Sequence, residues 1–254
     1  MDIANRSVLI TGGASGLGAA CARMVVADGG RAIVFDRDEA AGQSLAGELG
    51  AAAKFLAGDV TDESALRAAI GAATAAAPLA GVVCCAGIAP AARIVGREGP
   101  HDLALFEKVL RVNVVGTFNA LRLAAAAIST NAPTADGERG VIVCTASVAA
   151  FDGQIGQAAY AASKGAVAAM TLPAARELAK FGIRVVSIAP GIFETPLLAA
   201  MPAEVRESLA AQIPFPPRFG KPEEFAALVR QIFANPMLNG EVIRLDGAVR
   251  MAAK

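Results

Sequence analysis

A tyrosine and a lysine four residues apart are the strongest chemical feature of this sequence. Tyr160, the only tyrosine of the chain, and Lys164 would stack on one face of a helix at this spacing. A phenol is a poor base at neutral pH because its ordinary pKa is about 10, but a nearby cation favours the phenolate. The pair therefore predicts a general base that takes a proton from a substrate hydroxyl and returns it in the reverse direction.

Two further polar residues are candidates for assisting this base. Ser147 follows a predicted strand, and its hydroxyl would position a substrate oxygen and stabilise the charge developing on it. Asn113 lies in an apolar helical stretch. It either holds a water that passes protons to Lys164 or is a hydrogen-bonded core asparagine, and the spacing leaves both interpretations open.

Glycines near the start of the chain predict a phosphate-binding turn. The first predicted strand runs into TGGASGLG, in which Gly12, Gly16 and Gly18 form a GxxxGxG pattern. Glycines let backbone N–H groups approach a pyrophosphate, and the next helix presents its positive end to the anion. An ordinary glycine-rich turn is the alternative. The position between a strand and a helix favours a dinucleotide site.

An acidic residue after the second predicted strand indicates which dinucleotide binds. Asp36 can accept hydrogen bonds from both adenosine ribose hydroxyls, and its charge would repel a 2′-phosphate. NAD is therefore favoured over NADP, although the neighbouring Arg37 could hold a phosphate. Asp59 and Val60, after the third strand, would flank the adenine, with a helix N-cap as the competing role of Asp59.

The elements that must position these residues are visible as short apolar runs alternating with helical patterns. Strands are predicted at Ser7–Ile10, Ala32–Asp36, Lys54–Ala57, Gly81–Cys85, Val141–Cys144, Arg184–Ile188 and Glu241–Leu245, and helices at Leu17–Asp28, Glu39–Leu49, Glu63–Ala76 and Ala158–Leu178. Continuous apolar strands separated by helices predict a doubly wound α/β fold, with a parallel sheet covered on both faces. The length fits a single domain, residues 1–254, with surface insertions at Arg93–Asp102 and Ser129–Gly140.

Composition excludes several other classes of protein. Lys plus Arg and Asp plus Glu are both 23, and this zero net charge argues against a nucleic-acid binder and gives no support for a membrane surface. The charge-free stretch Ala68–Ala92 is interrupted by glycines and prolines, which favours a helix, a turn and a buried strand over a membrane span.

The cysteines and the single histidine give no metal-binding pattern. Cys21, Cys84, Cys85 and Cys144 form no CxxC motif, and His101 is the only histidine, so we expect no metal. Small apolar thiols in a reducing compartment are the simpler interpretation. The first residues lack the pattern of a secretory signal. We therefore expect a cytoplasmic protein, or an organelle-matrix protein if an import sequence was removed.

Taken in order, these motifs resemble the short-chain dehydrogenase/reductase family. The matching elements span nearly the whole chain and are TGGASGLG, Asp36, Asp59, Asn113, Ser147, Tyr160 with Lys164, and Pro190–Gly191. The resemblance implies a Rossmann-type sheet ordered 3-2-1-4-5-6-7, a Ser-Tyr-Lys-Asn catalytic group, hydride transfer between NAD and a secondary alcohol, and dimers or tetramers. One departure is Cys84, which replaces the asparagine of the family's NxAG motif and would alter packing near the adenine ribose.

Three longer segments and both insertions resemble a branch of this family that oxidises 3-hydroxyacyl-CoA esters. The segments are RGVIVCTASVAAFDGQIGQAAYAASKGA, APGIFETPLL and NPMLNGEVIRLDGAVRM. The likeness implies NAD, conversion of 3-hydroxyacyl-CoA to 3-oxoacyl-CoA, and steroids or other alcohols as side substrates. It also implies a substrate contact near Gln154 and cofactor contacts at Ser15, Leu17, Cys85 and Phe193. Gly87, Pro190 and Thr195 are further candidate cofactor contacts.

The segment after Pro190–Gly191, at about 191–218, is predicted to be a substrate lid. Its apolar residues are Ile192, Phe193, Leu197, Leu198, Met201, Leu209, Ile213 and Phe215. They indicate an apolar substrate body, unless they only pack the lid onto its own domain. Arg93 and Arg97 in the first insertion would meet the phosphates of coenzyme A.

The small, apolar residues of helix Ala158–Leu178 need cover on more than the side facing the sheet. A partner helix would supply this cover, which predicts a homotetramer, with a dimer as the second choice.

Other functions remain as alternatives. One is a hydroxysteroid or other small-alcohol dehydrogenase or reductase; another is a non-catalytic NAD-binding scaffold. A scaffold needs only the glycine loop and Asp36, so Ser147, Tyr160, Lys164 and Asn113 favour an enzyme. A Ser-His hydrolase is disfavoured because His101 lies in an insertion, and a phosphotransferase because the loop lacks Lys-Ser or Lys-Thr.

Overall fold

The fold is a parallel sheet with helices on both faces, seen in a computed structural model that describes residues 1–195, 198 and 203–253. The strands are β1 (Ser7–Thr11), β2 (Arg31–Asp36), β3 (Ala53–Ala57), β4 (Leu79–Cys84), β5 (Val95–Gly96), β6 (Gly99–Pro100), β7 (Gly140–Thr145), β8 (Ile183–Pro190) and β9 (Val242–Leu245). The helices are α1 (Gly16–Ala27), α2 (Glu39–Leu49), α3 (Glu63–Ala76), α4 (Leu103–Leu110), α5 (Gly116–Ile128), α6 (Ala158–Leu178), α7 (Ala203–Ala210) and α8 (Pro222–Ala234).

Seven of these strands form one sheet in the order β3-β2-β1-β4-β7-β8-β9, and all its described pairings are parallel. This confirms the predicted order, because β5 and β6 form a separate hairpin inside the first insertion and only shift the numbering. The strand order reverses between β1 and β4. In an open α/β sheet, this switch point leaves a crevice at the carboxyl ends of the strands, where ligands bind.

Burial on both faces explains why the central strands are continuously apolar. Every residue of β1, β4, β7 and β8 is buried. One core cluster joins the sheet to α3, α5 and α6, and the other joins it to α1, α2 and α8. Two covered faces hold the carboxyl edge of the sheet rigid, and this edge carries the predicted site residues.

Most predicted boundaries are close to the observed ones. α2, α3 and α6 begin and end at the predicted residues, whereas β4 begins at Leu79 and ends at Cys84, before the predicted Cys85. Asn113 lies in a π-helical turn, Arg111–Val115, between α4 and α5. Of the predicted lid residues, Leu197 and Met201 fall outside the described residues.

Within residues 1–195, 198 and 203–253, no helix has both the length and the apolar character needed to cross a bilayer.

Candidate active site

A cavity of about 640 Å³ opens at the carboxyl edge of the sheet. With the exception of Asn113, it is lined by all the predicted catalytic, cofactor and substrate residues: Gly12, Ser15, Gly16, Leu17, Gly18, Asp36, Asp59, Val60, Cys85, Gly87, Ser147, Gln154, Tyr160, Lys164, Pro190, Phe193 and Thr195. The structure thus brings together residues from six strand ends and the first turns of two helices.

The glycine turn between β1 and α1 is packed too tightly for side chains. Gly12 has a φ of 64°, and a Cβ there would come within 2.5 Å of the backbone nitrogen of Ala86. A Cβ on Gly18 would overlap the carbonyl oxygen of Gly12. Ser15 is the N-cap of α1, and its side chain makes no capping hydrogen bond. The turn is a backbone cradle at a helix N-terminus, which suits a pyrophosphate.

Asp36 ties this cradle to the end of β2. Its two carboxylate oxygens accept hydrogen bonds from the backbone nitrogens of Ala14, at 3.0 Å, and Asp38, at 3.1 Å. A carboxylate has about four lone-pair positions, so it retains capacity for ribose hydroxyls. The carboxylate therefore contributes negative charge directly beside the phosphate cradle, where it disfavours a second phosphate.

Asp59 lines the cavity without capping a helix. Its Oδ1 accepts hydrogen bonds from the backbone and hydroxyl of Thr61, whereas Asp62 caps α3 through the backbone nitrogens of Ser64 and Ala65. The N-cap alternative for Asp59 is therefore wrong, because α3 begins later. The exposed Arg37 guanidinium lies 3.6 Å from a carboxylate oxygen of Asp59, and the two groups form an ion pair.

Lys164 is a buried cation beside Tyr160 on the first turns of α6. Its side chain is held by a hydrogen bond from Nζ to the carbonyl oxygen of Thr145, at 2.7 Å. The same Nζ lies 5.8 Å from the centre of the Tyr160 ring. Since only 5% of Lys164 is exposed, its charge is poorly screened and acts strongly on neighbouring groups.

Ser147 stands across the cavity, immediately after β7. Its backbone is extended, and its Oγ accepts a hydrogen bond from the backbone nitrogen of Ala149 at 3.1 Å. This contact occupies one acceptor position and leaves the hydroxyl proton for another partner. Ser147 can therefore donate to an oxygen in the cavity while its side chain stays fixed.

Asn113 lies behind the cavity rather than in its wall. The fully buried side chain accepts a hydrogen bond from the backbone nitrogen of Ile88 at 2.8 Å, and donates to Ile88 O and Ser163 Oγ, both at 2.9 Å. Both amide protons are engaged, so any water held by Asn113 would bind to oxygen. The side chain joins the chain after β4 to α6, as a satisfied core asparagine does.

The four cysteines meet in pairs on opposite faces of the sheet. Hydrogen bonding to Cys144 and burial raise the pKa of Cys84. On the other face, hydrogen bonding to Cys21 lowers the pKa of Cys85, and the Thr145 hydroxyl and the charge of Lys164 act in the same direction against burial. Cys84 thus packs against β7 in place of an asparagine amide, and Cys85 presents a thiol to the cavity.

The far end of the cavity is apolar. The predicted residues Ile192, Leu198 and Leu209 line it beside Phe193, whose ring also packs edge-on against Phe225. Ile213 is buried and Phe215 is exposed, and neither lines the cavity. Of the predicted lid residues that the structure describes, some line the cavity, Ile213 is buried away from it and Phe215 is exposed.

Several lining residues were missed by the sequence analysis: Ile88, Ala89, Ala91, Val112, Val148, Ala149, Gln157 and Met251. Most follow β4 or β7, so their position after a predicted strand was a usable signal. Met251 is different. It comes from the C-terminal segment, and nothing in its local sequence points to the site.

The first insertion borders a neighbouring cavity of about 450 Å³. Arg93 lines it together with Gln154, which also lines the main cavity. Arg97 lines neither cavity. Only one of the two arginines predicted to meet coenzyme A therefore lies at the mouth of the site.

A parallel sheet in this order, with a glycine cradle and a Ser-Tyr-Lys cluster at its switch point, defines a dinucleotide-dependent oxidoreductase. The chain belongs to the short-chain dehydrogenase family, whose model matches residues 6–206.

Relatives and solved structures extend the match to the whole chain. A 3-hydroxyacyl-CoA dehydrogenase type-2 of Drosophila melanogaster is 52% identical over 252 residues, covering 98% of this chain and 99% of that protein. The crystal structure of a 3-hydroxyacyl-CoA dehydrogenase type-2 from Mycobacterium avium superposes with a TM-score of 0.94 at 44% identity and covers 98% of both chains. A 3-ketoacyl-(acyl-carrier-protein) reductase from Brucella melitensis, solved with NADH, has a TM-score of 0.87 at 29% identity, covering 98% of this chain and all of that one.

Proposed function

We propose that this protein oxidises 3-hydroxyacyl-CoA esters to 3-oxoacyl-CoA esters with NAD. The observation that carries the proposal is the buried Lys164 ammonium beside Tyr160, facing Ser147 in a cavity whose other end is a glycine cradle. The names of the relatives at about half identity supply the substrate class.

The cavity residues fit NAD. The backbone N–H groups of the turn that contains Gly12, Gly16 and Gly18 would hold the pyrophosphate. Side chains at the first and last of these positions would collide with the backbone, so the turn requires glycine there. Asp36 would hold the adenosine ribose, with Asp59 and Val60 beside the adenine. At the other end, Cys85, Gly87, Pro190, Phe193 and Thr195 would enclose the nicotinamide half.

Tyr160 is the proposed general base of the oxidation and the general acid of the reduction. Bound NAD would supply the acceptor for the hydride that leaves the carbinol carbon of the substrate. Ser147 donates a hydrogen bond to the substrate oxygen, and the phenolate oxygen of Tyr160 takes the hydroxyl proton and becomes a neutral phenol. Lys164 stabilises the negative charge that Tyr160 carries before this proton transfer, and its remaining N–H groups would bind the nicotinamide ribose.

Asn113 acts through other groups in this proposal. By clamping Ile88 and Ser163, it fixes the chain after β4 relative to α6. It would thereby fix the position of Gly87 relative to Lys164. A water bound to its oxygen would complete a proton path to Lys164.

The substrate body would occupy the apolar end of the cavity. Residues 191–218 act as its lid in a single domain of residues 1–254, and Gln154 contacts the substrate near the reacting carbon. Arg93, which lines the neighbouring cavity, would meet the phosphates of coenzyme A.

The same proposal includes a cytoplasmic homotetramer. Four free cysteines agree with a reducing compartment. The outer faces of α5 and α6 expose Phe118, at 49%, and Leu172, at 43%, which agrees with a partner covering them.

The test is NADH formation with purified protein on straight-chain 3-hydroxyacyl-CoA esters and on hydroxysteroids, with Tyr160→Phe as the matched variant. Loss of a general base lowers the turnover number by about a hundredfold to ten-thousandfold. Because the phenyl ring keeps its packing, NAD affinity should stay within about threefold of the wild-type value.

Turnover of thioesters that disappears in Tyr160→Phe supports the proposal. Turnover of hydroxysteroids without turnover of thioesters would favour the alternative function, a hydroxysteroid dehydrogenase. NAD binding without turnover of any substrate would favour a binding scaffold, and undiminished turnover in Tyr160→Phe would refute the role of the phenol.

A further inference from the structure

The C-terminal segment Asp246–Ala253, called here the tail, reaches the substrate end of the cavity. Met251 lines this cavity together with Leu209 of α7 and Gln154 of the loop after β7. Gln154 also lines the neighbouring cavity beside the first insertion, and Leu209 belongs to the segment after Pro190, so Met251 is grouped with residues proposed to meet the substrate. A side chain in this position meets the part of a substrate that extends away from the reacting carbon.

The root of the tail is fixed by an ion-pair cluster. Arg244, at the end of β9, contacts Asp152 and Asp246 at 2.7 Å each and donates to the carbonyl oxygen of Val249 at 3.0 Å. Its guanidinium lies 5.4 Å from the centre of the Phe151 ring. Val249 itself is fully buried, so the chain enters the cavity wall at a defined point.

The end of the tail pairs with the loop after β7. Gln154 Nε2 donates to the carbonyl oxygen of Ala252 at 3.1 Å, and the backbone nitrogen of Ile155 donates to the carbonyl oxygen of Ala253 at 3.0 Å. On the other side, the backbone nitrogen of Phe215 donates to the carbonyl oxygen of Gly247 at 3.3 Å. The tail therefore bridges the lid and the post-β7 loop, and Met251 lies between anchors on both sides.

We propose that the tail is the end wall of the substrate cavity and that Met251 is a residue that determines substrate chain length. A methionine suits this place because its unbranched thioether chain adapts to apolar ligands of different shape. The anchors hold the backbone, so the volume at position 251 changes with the side chain. This inference rests on the proposed function for the identity of the thioester, but the wall itself serves any elongated apolar alcohol.

The experiment compares Met251→Ala and Met251→Phe with the wild type on 3-hydroxyacyl-CoA esters of four, eight, twelve and sixteen carbons. The measured quantities are kcat and KM from NADH fluorescence. Met237→Ala and Met237→Phe are the matched controls, because Met237 is 87% exposed and lines neither described cavity. Thermal unfolding verifies that each variant is folded.

Met251→Phe should lower kcat/KM for the longest ester by about tenfold or more, mainly through KM, and change it for the four-carbon ester by less than about twofold. Met251→Ala should move the preferred length upward. A ratio of long-chain to short-chain kcat/KM that stays the same in both variants, or that moves equally in the Met237 controls, would overturn the inference.

A second measurement separates this inference from the proposed function. If the wild type oxidises no thioester, the proposed function fails, and 2-alkanones of five to eleven carbons are titrated onto the enzyme–NADH complex by NADH fluorescence. A length dependence of affinity that shifts in Met251→Phe still supports the wall. A flat dependence, or the absence of ketone binding, overturns it.

Discussion

At the scale of single residues, the buried charge of Lys164 acts on the groups around it. The carbonyl of Thr145 takes one of its three N–H donors, so the ammonium is fixed while two donors remain for groups in the cavity. A cation with only 5% of its residue exposed favours every neighbour that becomes an anion. Its charge thus adds to the hydrogen bond with Cys21, which is the larger cause, in lowering the pKa of Cys85.

Cys85 offers a direct measurement of this electrostatic environment. Its side chain is partly exposed, unlike those of Cys21, Cys84 and Cys144, and its lowered pKa increases the thiolate fraction at neutral pH. We expect iodoacetamide to modify Cys85 about tenfold faster than Cys21, Cys84 or Cys144 at pH 7, with a rate that falls as the pH falls. Peptide mass spectrometry over time gives the four rates.

Two comparisons make this thiol prediction specific. Saturating NADH should slow the modification, because Cys85 lines the proposed cofactor cavity, and Cys85→Ser should remove the fast phase. Equal labelling of all four thiols, with or without NADH, would contradict the prediction.

Asp36 should decide the choice between NAD and NADP. Replacing it with asparagine keeps an acceptor for the backbone nitrogen of Ala14 but removes the charge that would repel a 2′-phosphate. We expect the kcat/KM ratio of NAD to NADP to fall by about tenfold, equivalent to about 1.4 kcal/mol. Asp38→Asn, at the N-cap of α2, is the control and should leave this ratio unchanged. An unaltered preference in Asp36→Asn would assign the discrimination to another residue, with Arg37 first.

At the scale of elements, the site residues that could be predicted from the sequence are those that lie within one helix or directly after one strand. Tyr160 and Lys164 share one helix, and Asp36 and Ser147 follow single strands, so their spacing and order in the chain revealed them. The contacts of Asn113 with Ile88 and Ser163, and the pairing of Cys21 with Cys85, connect elements far apart in sequence. No local pattern encodes such pairs, because they depend on how helices pack across the sheet.

The turn between β1 and α1 has no room for a single added carbon at Gly18. Gly18→Ala would place a Cβ against the carbonyl oxygen of Gly12, which forces the cradle backbone to move. We expect NAD affinity to fall by about tenfold or more, because that backbone would make the proposed pyrophosphate contacts. Isothermal titration with NAD measures the loss.

Gly71→Ala is the matched control for this turn. Gly71 lies in α3 and is exposed, and a Cβ added to it would meet open space. Alanine there should leave NAD affinity unchanged and raise the free energy of unfolding by about 0.5–1 kcal/mol. Equal NAD affinity in Gly18→Ala and Gly71→Ala would show that the cradle does not hold the pyrophosphate.

At the scale of the whole molecule, the sheet order and the position of the cleft follow from connectivity. Alternation of strands and helices predicted a doubly wound sheet, and the family resemblance supplied the order of its strands. The bridge between the tail, the lid and the post-β7 loop was not predictable. Met251 is brought to the site by β9 and by the ion pairs of Arg244, which act over almost a hundred residues of sequence.

The prediction for the assembled molecule concerns the outer faces of α5 and α6. Phe118 and Leu172 are nearly half exposed on the side of the sheet that α3, α5 and α6 cover, and α6 also exposes Ala162 and Ala169. Light scattering at micromolar concentration should give a mass about four times the 25.6 kDa of one chain.

Phe118→Glu should yield a lighter species, because an interface that buries an unpaired carboxylate loses several kcal/mol. Phe181→Glu, at a position 38% exposed outside α5 and α6, should keep the wild-type mass. A monomeric wild type would refute the assembly, and a Phe118→Glu variant of unchanged mass would place the interface on another face.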